Sequence, residues 1–142
     1  MKKPVYSTEG GNADYYKVTG WGRAEGTFTW TEGGSASLNI PISVPEAPFV
    51  TLKARLSAFL SPGKVHKQTV HILINSKAVG VWVFMKPEFQ ERTVIIPRGI
   101  LMKSGNMGIS FHTPDAISPA QVGFNNDKRV LGLAVHAIEL TE

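Results

Sequence analysis

The residues best suited to chemistry lie in a glycine-rich stretch that runs from Gly20 to Gly34 and reads GWGRAEGTFTWTEGG. It brings two tryptophans, one arginine and two glutamates close together in the chain. A tryptophan ring can stack on the C–H surface of a sugar, and arginine and glutamate offer paired donors and acceptors to neighbouring hydroxyl groups. These residue types, at this density, favour carbohydrate recognition.

Two further polar segments add candidates of the same kind. One runs from Ser61 to Gln68 and the other from Pro114 to Arg129. Because β scaffolds commonly carry functional residues on connecting loops, we expect the three segments to form one glycan-binding surface. A tryptophan would stack, Gln68 and the arginines would donate hydrogen bonds, and the carboxylates and Asn126 would mostly accept them. The predicted ligand-binding residues are Trp21, Arg23, Glu25, Trp30, Glu32, Gln68, Asn126, Asp127 and Arg129.

A purely structural interpretation of these residues stays open. Large aromatic side chains are usually mostly buried, so both tryptophans could close one end of a sandwich. Phe28 and Trp30 alternate with threonines, which predicts a strand with both aromatic rings on the core face. Trp21 and its neighbours Arg23 and Glu25 are then the better ligand candidates. In the structural interpretation, a salt-bridge network around the loops would comprise Arg23, Asp115, Asp127 and Arg129.

Catalytic motifs are missing from the sequence. It has no Gly-x-Ser-x-Gly nucleophile elbow and no phosphate-binding loop, and it has no cysteine to act as a nucleophile or thiolate ligand. Glu25 and Glu32 could serve as a glycosidase pair only at a suitable separation of their carboxyl groups. A small glycan hydrolase or esterase is therefore the minor alternative, and we predict a non-catalytic protein without a cofactor.

The sequence also predicts no metal site. Its four histidines lack a metal-binding spacing such as His-Glu-x-x-His. His71 and His112 fall on the polar phase of their strands and should be exposed, whereas His136 should be partly buried and hydrogen-bonded. An oxygen-rich calcium site is chemically conceivable but matches no ligand loop. Its residues would be Asp115, Asn125, Asn126 and Asp127.

The charge pattern argues against two classes of partner. The formal net charge is +4, but the lysines and arginines are scattered rather than gathered into a stripe with stacking aromatics. Binding to nucleic acid normally needs such a stripe. The sequence also has no run of about 20 apolar residues, so we predict neither nucleic-acid binding nor direct membrane insertion.

The elements that must position the candidate residues are strands. Apolar and polar residues alternate from Thr51 to Leu60, which predicts a half-buried strand. The same alternation recurs near Ile40, Ile72 and Ile109, and a final run extends from Arg129 to Leu140. These patterns indicate a chain built mainly from short strands.

Turn signals separate these strands. Asn75 to Lys77 should close a hairpin that pairs 68–75 with 78–85, because asparagine tolerates the positive φ of tight turns. Pro97 should end the strand before it, and one helical turn is expected from Arg98 to Ser104 with Gly105 as its stop.

These signals predict an all-β fold, an antiparallel jelly-roll-like β-sandwich of about eight or nine strands. The 142 residues are enough for one domain. We expect residues 1–17 to form a loose N-terminal arm with at most one edge strand, and residues 18–142 to form the sandwich.

The order of motifs between about residues 20 and 140 resembles an uncharacterised β-sandwich domain of bacterial envelope-polysaccharide proteins. In those proteins it is appended to membrane-bound glycosyltransferases and phosphoglycerol-type transferases. The chain departs from the family pattern at Asn75-Ser76, where the family commonly has Asn-Gly. The motifs that carry the resemblance are Trp21-Gly22-Arg23, Trp30-Thr31-Glu32-Gly33, Leu60-Ser61-Pro62-Gly63, Val79-Gly80, Pro114-Asp115-Ala116 and Asn126-Asp127-Lys128-Arg129.

The resemblance implies an accessory module that faces a glycan or polysaccharide, with a transferase as its parent protein. It implies association with the cell envelope if the parent is a membrane protein, and it brings no catalytic residue to this chain. A structural domain that docks its parent transferase through a sheet face, without binding sugar, is the alternative. An exposed apolar patch would favour docking, and a polar groove would favour sugar.

Overall fold

The computed structural model describes residues 2–101 and 105–142, and within these ranges the chain forms eleven strands, one helical turn and one 3-10 turn. The 3-10 turn is Ala13–Tyr15 and the helical turn, α1, is Arg98–Leu101. The strands are β1 (Lys2–Tyr6), β2 (Lys17–Thr19), β3 (Trp21–Ala24), β4 (Thr29–Glu32), β5 (Ser35–Pro41), β6 (Phe49–Ala58), β7 (Gln68–Ile74), β8 (Lys77–Phe84), β9 (Gln90–Pro97), β10 (Asn106–His112) and β11 (Leu131–Thr141).

The strands form two antiparallel sheets. The six-stranded sheet has the order β3-β4-β11-β6-β9, with β1 as its sixth strand beside β11, and the five-stranded sheet has the order β2-β5-β10-β7-β8. β4 pairs with the first half of β11, and β1 pairs with its second half. The predicted all-β antiparallel sandwich is confirmed. The expected strand count was too low because β2 and β3 are too short to show an alternating pattern.

The core lies between the sheets. Alternate residues of β6 point into it as expected, among them Leu52 and Leu56, and they meet Ile72 and Phe111 of the other sheet. The exposed surface of each of these four side chains is 0%. Burying one large apolar side chain contributes about 1.5–3 kcal/mol of stabilising free energy. The sum of these contributions is the main term that stabilises such a sandwich.

A β-bulge at His136 changes which side of β11 faces the core. The register against β6 shifts between Val135 and Ala137, so the strand presents Val135 and then Ile138 to the core. His136 is half-buried as expected, and its Nδ1 lies 2.7 Å from the Thr27 carbonyl oxygen. The bulge therefore explains how a polar ring is accommodated in a buried central strand.

The N-terminal segment differs from the loose arm that we expected. β1 pairs with β11 over its whole length, and Val5 and Ala13 join the hydrophobic core. The segment is held further by Asn12, whose side-chain oxygen accepts a hydrogen bond from the Tyr6 amide at 2.7 Å. Val5 and Ala13 are buried, with exposures of 2% and 3%, so two apolar residues and the pairing with β11 anchor the segment.

The predicted hairpin forms between β7 and β8, with Gln68 paired to Phe84. Asn75 and Ser76 have φ values of 48° and 69°, the pattern of a type I′ turn. Serine thus occupies a backbone conformation that glycine normally takes. The expected turn from Arg98 to Ser104 is helical from Arg98 to Leu101, and residues 102–104 lie outside the described part of the chain.

Candidate functional site

A polar cleft of about 600 Å³ opens beside the β3–β4 edge of the six-stranded sheet. We call it the Arg129 cleft. It draws residues from the N-terminal segment, from both strands of the edge and from the segment before β11. Its lining residues are Glu9, Arg23, Ala24, Glu25, Glu32 and Arg129.

Strand pairing brings these distant residues together. Leu131 at the start of β11 pairs with Glu32 at the end of β4, so Arg129, two residues earlier, lies next to the edge. The Gly33 amide donates a hydrogen bond to the Val130 carbonyl oxygen at 2.8 Å and fixes this approach. Residues about a hundred positions apart in the chain therefore share one surface.

Arg129 is the centre of the cleft. Its guanidinium group forms a bidentate contact with Asp127, in which Nη2 donates a hydrogen bond to Oδ2 at 2.7 Å and Nε donates one to Oδ1 at 3.1 Å. Nη1 also donates to Glu25 Oε2 at 3.3 Å and lies 4.0 Å from Glu32 Oε2. A planar guanidinium suits this role because its donors lie in a rigid fork. One arginine thus orients three carboxylates.

The ionisation of the central pair follows from this contact. The side-chain hydrogen bond from Arg129 lowers the pKa of Asp127, and the backbone amide of Arg129 lowers it further. The side-chain hydrogen bond to Asp127 raises the pKa of Arg129, partial desolvation opposes this increase, and the hydrogen bond to Glu25 adds a smaller increase. Both groups are therefore charged at neutral pH, and the cleft keeps a fixed positive centre among carboxylates.

Gly22 lets Glu32 reach Arg129. A Cβ atom at Gly22 would collide with the Glu32 carboxylate oxygen Oε2. Only glycine leaves room for that carboxylate to lie against the β3 backbone. The glycine in the Trp21-Gly22-Arg23 motif therefore shapes the cleft.

Trp30 lies on the outer face of its sheet, which is opposite to the expected phase of β4. Thr29 and Thr31 are fully buried instead, with exposures of 0%. Their hydroxyl groups are satisfied, because Thr29 Oγ1 donates to the Ser7 carbonyl oxygen and Thr31 Oγ1 accepts from the Leu133 amide, both at 2.9 Å. Buried hydroxyls with such partners cost little, so threonine can face the core while the larger aromatic ring faces outward.

The outward aromatic rings pack on one another. Trp30 meets Phe28 edge-on at a centroid separation of 5.7 Å and Phe59 at 6.5 Å. Trp30 lies two residues before Glu32 on β4, so the two side chains share one face of the strand, and Glu32 lines the Arg129 cleft. We call the group the outer aromatic cluster. Its members are Phe28, Trp30, Phe59, Phe89 and Phe124.

No protein-family model matches the chain, and no curated protein sequence matches it significantly. Solved structures do match its fold. A family 35 carbohydrate-binding module from Clostridium thermocellum is similar with a TM-score of 0.62 and 12% identity, over 99% of this chain and 98% of that one. The CBM36-1 domain of a multidomain xylanase from the hindgut metagenome of Trinervitermes trinervoides gives a TM-score of 0.57 and 10% identity, over 100% and 98% of the two chains.

A third similar structure is the family 36 carbohydrate-binding module in complex with calcium and xylotriose, with a TM-score of 0.53 and 14% identity over 99% of both chains. The chain has the fold of carbohydrate-binding modules. Because the sequence identities are this low, the similarity shows only a shared fold. The sequence resemblance implied an accessory module with a β-sandwich fold. The fold of these neighbours agrees with that expectation.

Within this carbohydrate-binding-module fold, Trp21 takes a bridging position rather than a place in the cleft. It is half-buried against the core, and its indole N–H donates to the Ser37 carbonyl oxygen at 2.8 Å. Lys17 Nζ lies 5.8 Å from the centre of the ring. Because Trp21 belongs to one sheet and Ser37 to the other, the ring ties the two sheets together at their edge.

Gln68 is also committed to the fold. Its exposure is 0%, and its amide nitrogen donates to the carbonyl oxygens of Phe59 at 3.0 Å and Asp115 at 3.3 Å. The Asp115 carboxylate in turn accepts from the Thr69 amide at 3.0 Å. Gln68 therefore joins two long loops of the carbohydrate-binding-module fold, and a ligand at the surface cannot reach it.

The remaining predicted residues divide clearly. Arg23, Glu25, Glu32 and Arg129 line the cleft together, and Asp127 is bound to Arg129. Asn126 is exposed on the same loop but does not line the cleft.

Sequence reasoning missed Glu9. It reaches the cleft because its amide donates to the Gly26 carbonyl oxygen at 2.7 Å. Its flanking sequence, Ser7-Thr8-Glu9-Gly10-Gly11, carries no strand or ligand signal that could have identified it.

The described ranges contain neither a cluster of metal ligands nor a helix that could span a membrane. No group of three or more histidine, aspartate or glutamate side chains there is arranged to hold a metal ion. No helix in residues 2–101 and 105–142 is long and apolar enough to cross a membrane.

Proposed function

We propose that the chain is a non-catalytic carbohydrate-binding domain and that the Arg129 cleft holds the glycan. The observation that carries this proposal is the arrangement of one guanidinium and three carboxylates at the sheet edge, on the fold of carbohydrate-binding modules. The volume of about 600 Å³ lies within the range of roughly 300–1,000 Å³ that is typical of ligand pockets.

Each side chain has a defined role in this proposal. The carboxylate oxygens of Glu25 and Glu32 accept hydrogen bonds from neighbouring sugar hydroxyls. Arg23 is exposed and donates to the sugar, while Trp30 offers an aromatic surface on the same face of β4 as Glu32. Arg129 holds the carboxylates in place before the ligand arrives, so binding loses less side-chain entropy.

The contacts of Arg129 favour binding over hydrolysis. A glycosidase needs two carboxyl groups that flank the scissile glycosidic bond. Arg129 Nη1 lies 3.3 Å from Glu25 Oε2 and 4.0 Å from Glu32 Oε2, so one guanidinium already contacts both candidate carboxylates. The minor alternative of a glycan hydrolase is therefore less well supported than binding.

The family 36 neighbour binds xylotriose, a short oligosaccharide. We propose that this chain likewise takes an oligosaccharide segment of a larger polysaccharide. Its sequence resemblance to modules of bacterial envelope-polysaccharide proteins supports a surface polysaccharide as the source and a transferase as the parent protein. A glycan array that includes bacterial surface polysaccharides tests this part.

Calorimetric titration of the array hits tests the site. Arg23→Ala should weaken glycan binding at least tenfold, whereas Arg55→Ala should leave it unchanged. Arg55 is a matched control because it is also an exposed arginine on the six-stranded sheet, but it does not line the cleft. The proposal fails if the folded protein binds no glycan at millimolar concentration, or if both arginine variants bind as tightly as the unmodified chain.

A further inference from the structure

Two histidines stand directly opposite each other on the five-stranded sheet. In the register of β7 and β10, His71 pairs with His112, and the next pair along is Ile72 with Phe111. Ile72 and Phe111 are fully buried, so the two histidines, one residue away, point to the outer face. Both side chains are exposed as the sequence predicted.

The separation of the pair suits one shared metal ion. Directly opposed residues in an antiparallel sheet have Cβ atoms about 4.5–5.5 Å apart. An imidazole nitrogen binds zinc at about 2.0–2.1 Å, so two rings that lean toward each other from this distance can reach the same ion. β7 and β10 both lie inside the sheet, between β5 and β8, which holds the two backbones in fixed positions.

The two rings are not engaged by a partner within the described ranges. Within the described ranges, neither imidazole has a hydrogen bond or an ion pair. The residues paired with them across the neighbouring strands are Ser35 beside His112 and Val81 beside His71, and neither is charged. A cation between the rings therefore meets no repulsion from a directly paired residue.

We propose that His71 and His112 form a two-histidine site for a divalent first-row transition-metal ion, with water in the remaining coordination positions. Imidazole suits copper, nickel and zinc, whereas calcium and magnesium prefer oxygen ligands. The site lies on the sheet opposite to the Arg129 cleft, so the proposal does not depend on glycan binding.

Titration of the untagged protein with Cu²⁺, Ni²⁺ and Zn²⁺ tests the site, with calorimetry for affinity and nuclear magnetic resonance for the histidine ring signals. We expect one ion per chain, tighter binding of Cu²⁺ than of Ni²⁺ or Zn²⁺, and perturbation of the His71 and His112 signals. Ca²⁺ should give no response. Binding should weaken as the pH falls, because protons compete for the neutral imidazole.

Single variants decide the assignment. Loss of a residue that merely supports a metal ligand costs roughly 10–100-fold in affinity, so His71→Gln or His112→Gln should weaken binding at least that much. The double variant should lose little more than either single variant, because both rings hold the same ion. His66→Gln, an exposed histidine on a loop, is the control and should bind normally. The proposal is overturned if the unmodified protein binds no ion, or if His112→Gln binds as tightly as the control.

Discussion

Replacing Thr31 with valine is expected to destabilise the sandwich by about 1–2 kcal/mol. The Thr31 hydroxyl oxygen accepts a hydrogen bond from the Leu133 amide at 2.9 Å. This bond lies where the pairing of β4 and β11 shifts register between Leu131 and Ala134. Leu133 therefore meets a side-chain oxygen where a regular ladder would offer a carbonyl. Valine has nearly the same shape as threonine but cannot accept this bond.

The magnitude follows from the burial of both partners, since Thr31 and Leu133 each have an exposure of 0%. An orphaned buried donor costs about 1–3 kcal/mol, and the added apolar methyl recovers up to about 0.8 kcal/mol. For a domain of this size, the melting temperature should fall by about 3–8 °C. Urea unfolding should show a lower midpoint with an unchanged slope.

Thr29→Val provides an internal comparison. It removes a donor to the Ser7 carbonyl oxygen, and a carbonyl tolerates a missing partner better than an amide does. Its cost should therefore be smaller, about 0.5–1 kcal/mol. Thr27→Val, at an exposed position, should stay within about 0.5 kcal/mol of the unmodified chain. If Thr31→Val is as stable as Thr27→Val, the hydroxyl does not satisfy the Leu133 amide and our account of the strand phase is wrong.

Three further predictions concern the cleft and the hairpin. Because the pKa of Asp127 is lowered in the folded state, its pairing with Arg129 stabilises the fold at pH values above the ordinary aspartate pKa. This stabilisation is lost as the pH falls, so Asp127→Asn should make stability less dependent on pH below about pH 4 in acid-unfolding curves. Gly22→Ala should displace the Glu32 carboxylate and weaken glycan binding in calorimetry, with little change in melting temperature. Ser76→Gly should stabilise the protein by up to about 1 kcal/mol in urea unfolding, because it relieves a φ of 69°.

Each of these predictions has a contrary outcome. An Asp127→Asn variant with the same acid-unfolding curve as the unmodified chain would show that the pair adds nothing to stability. A Gly22→Ala variant that binds glycan normally would mean that Glu32 can move without loss. A Ser76→Gly variant that is less stable would show that the flexibility glycine adds to the unfolded chain outweighs the relieved strain.

The alternation of apolar and polar residues predicted the strands. It succeeded where one face of a strand is buried and the other is exposed. Thr51 to Leu60 is an example, because its apolar face fills the core over most of that length. Alternation misled at Thr27 to Thr31, where residue type indicated aromatic rings inside and threonines outside. The outcome depended on two distant backbone groups that satisfy the threonine hydroxyls, and no local pattern reveals them.

The candidate site was predictable in part for a similar reason. Loop clustering pointed to Arg23, Glu25 and Arg129, which do meet in the cleft although 104 positions separate Glu25 from Arg129. The same reasoning chose Gln68, which is buried because two loop carbonyls bind its amide. Residue type marks a side chain as able to bind a ligand, but only the pairing of strands decides whether it faces a ligand or the backbone.

The pairing of β1 with β11 has a consequence for how this domain can be joined to other polypeptide. Lys2 lies opposite Thr141, so the first and last strands leave the sheet side by side. The Arg129 cleft lies along the other half of β11, roughly 20–35 Å away at about 3.4 Å per residue. Any chain that continued from either strand would emerge at the end of the sheet remote from the cleft. Tethers at both of these strands would thus leave the cleft open at the opposite end of the sheet.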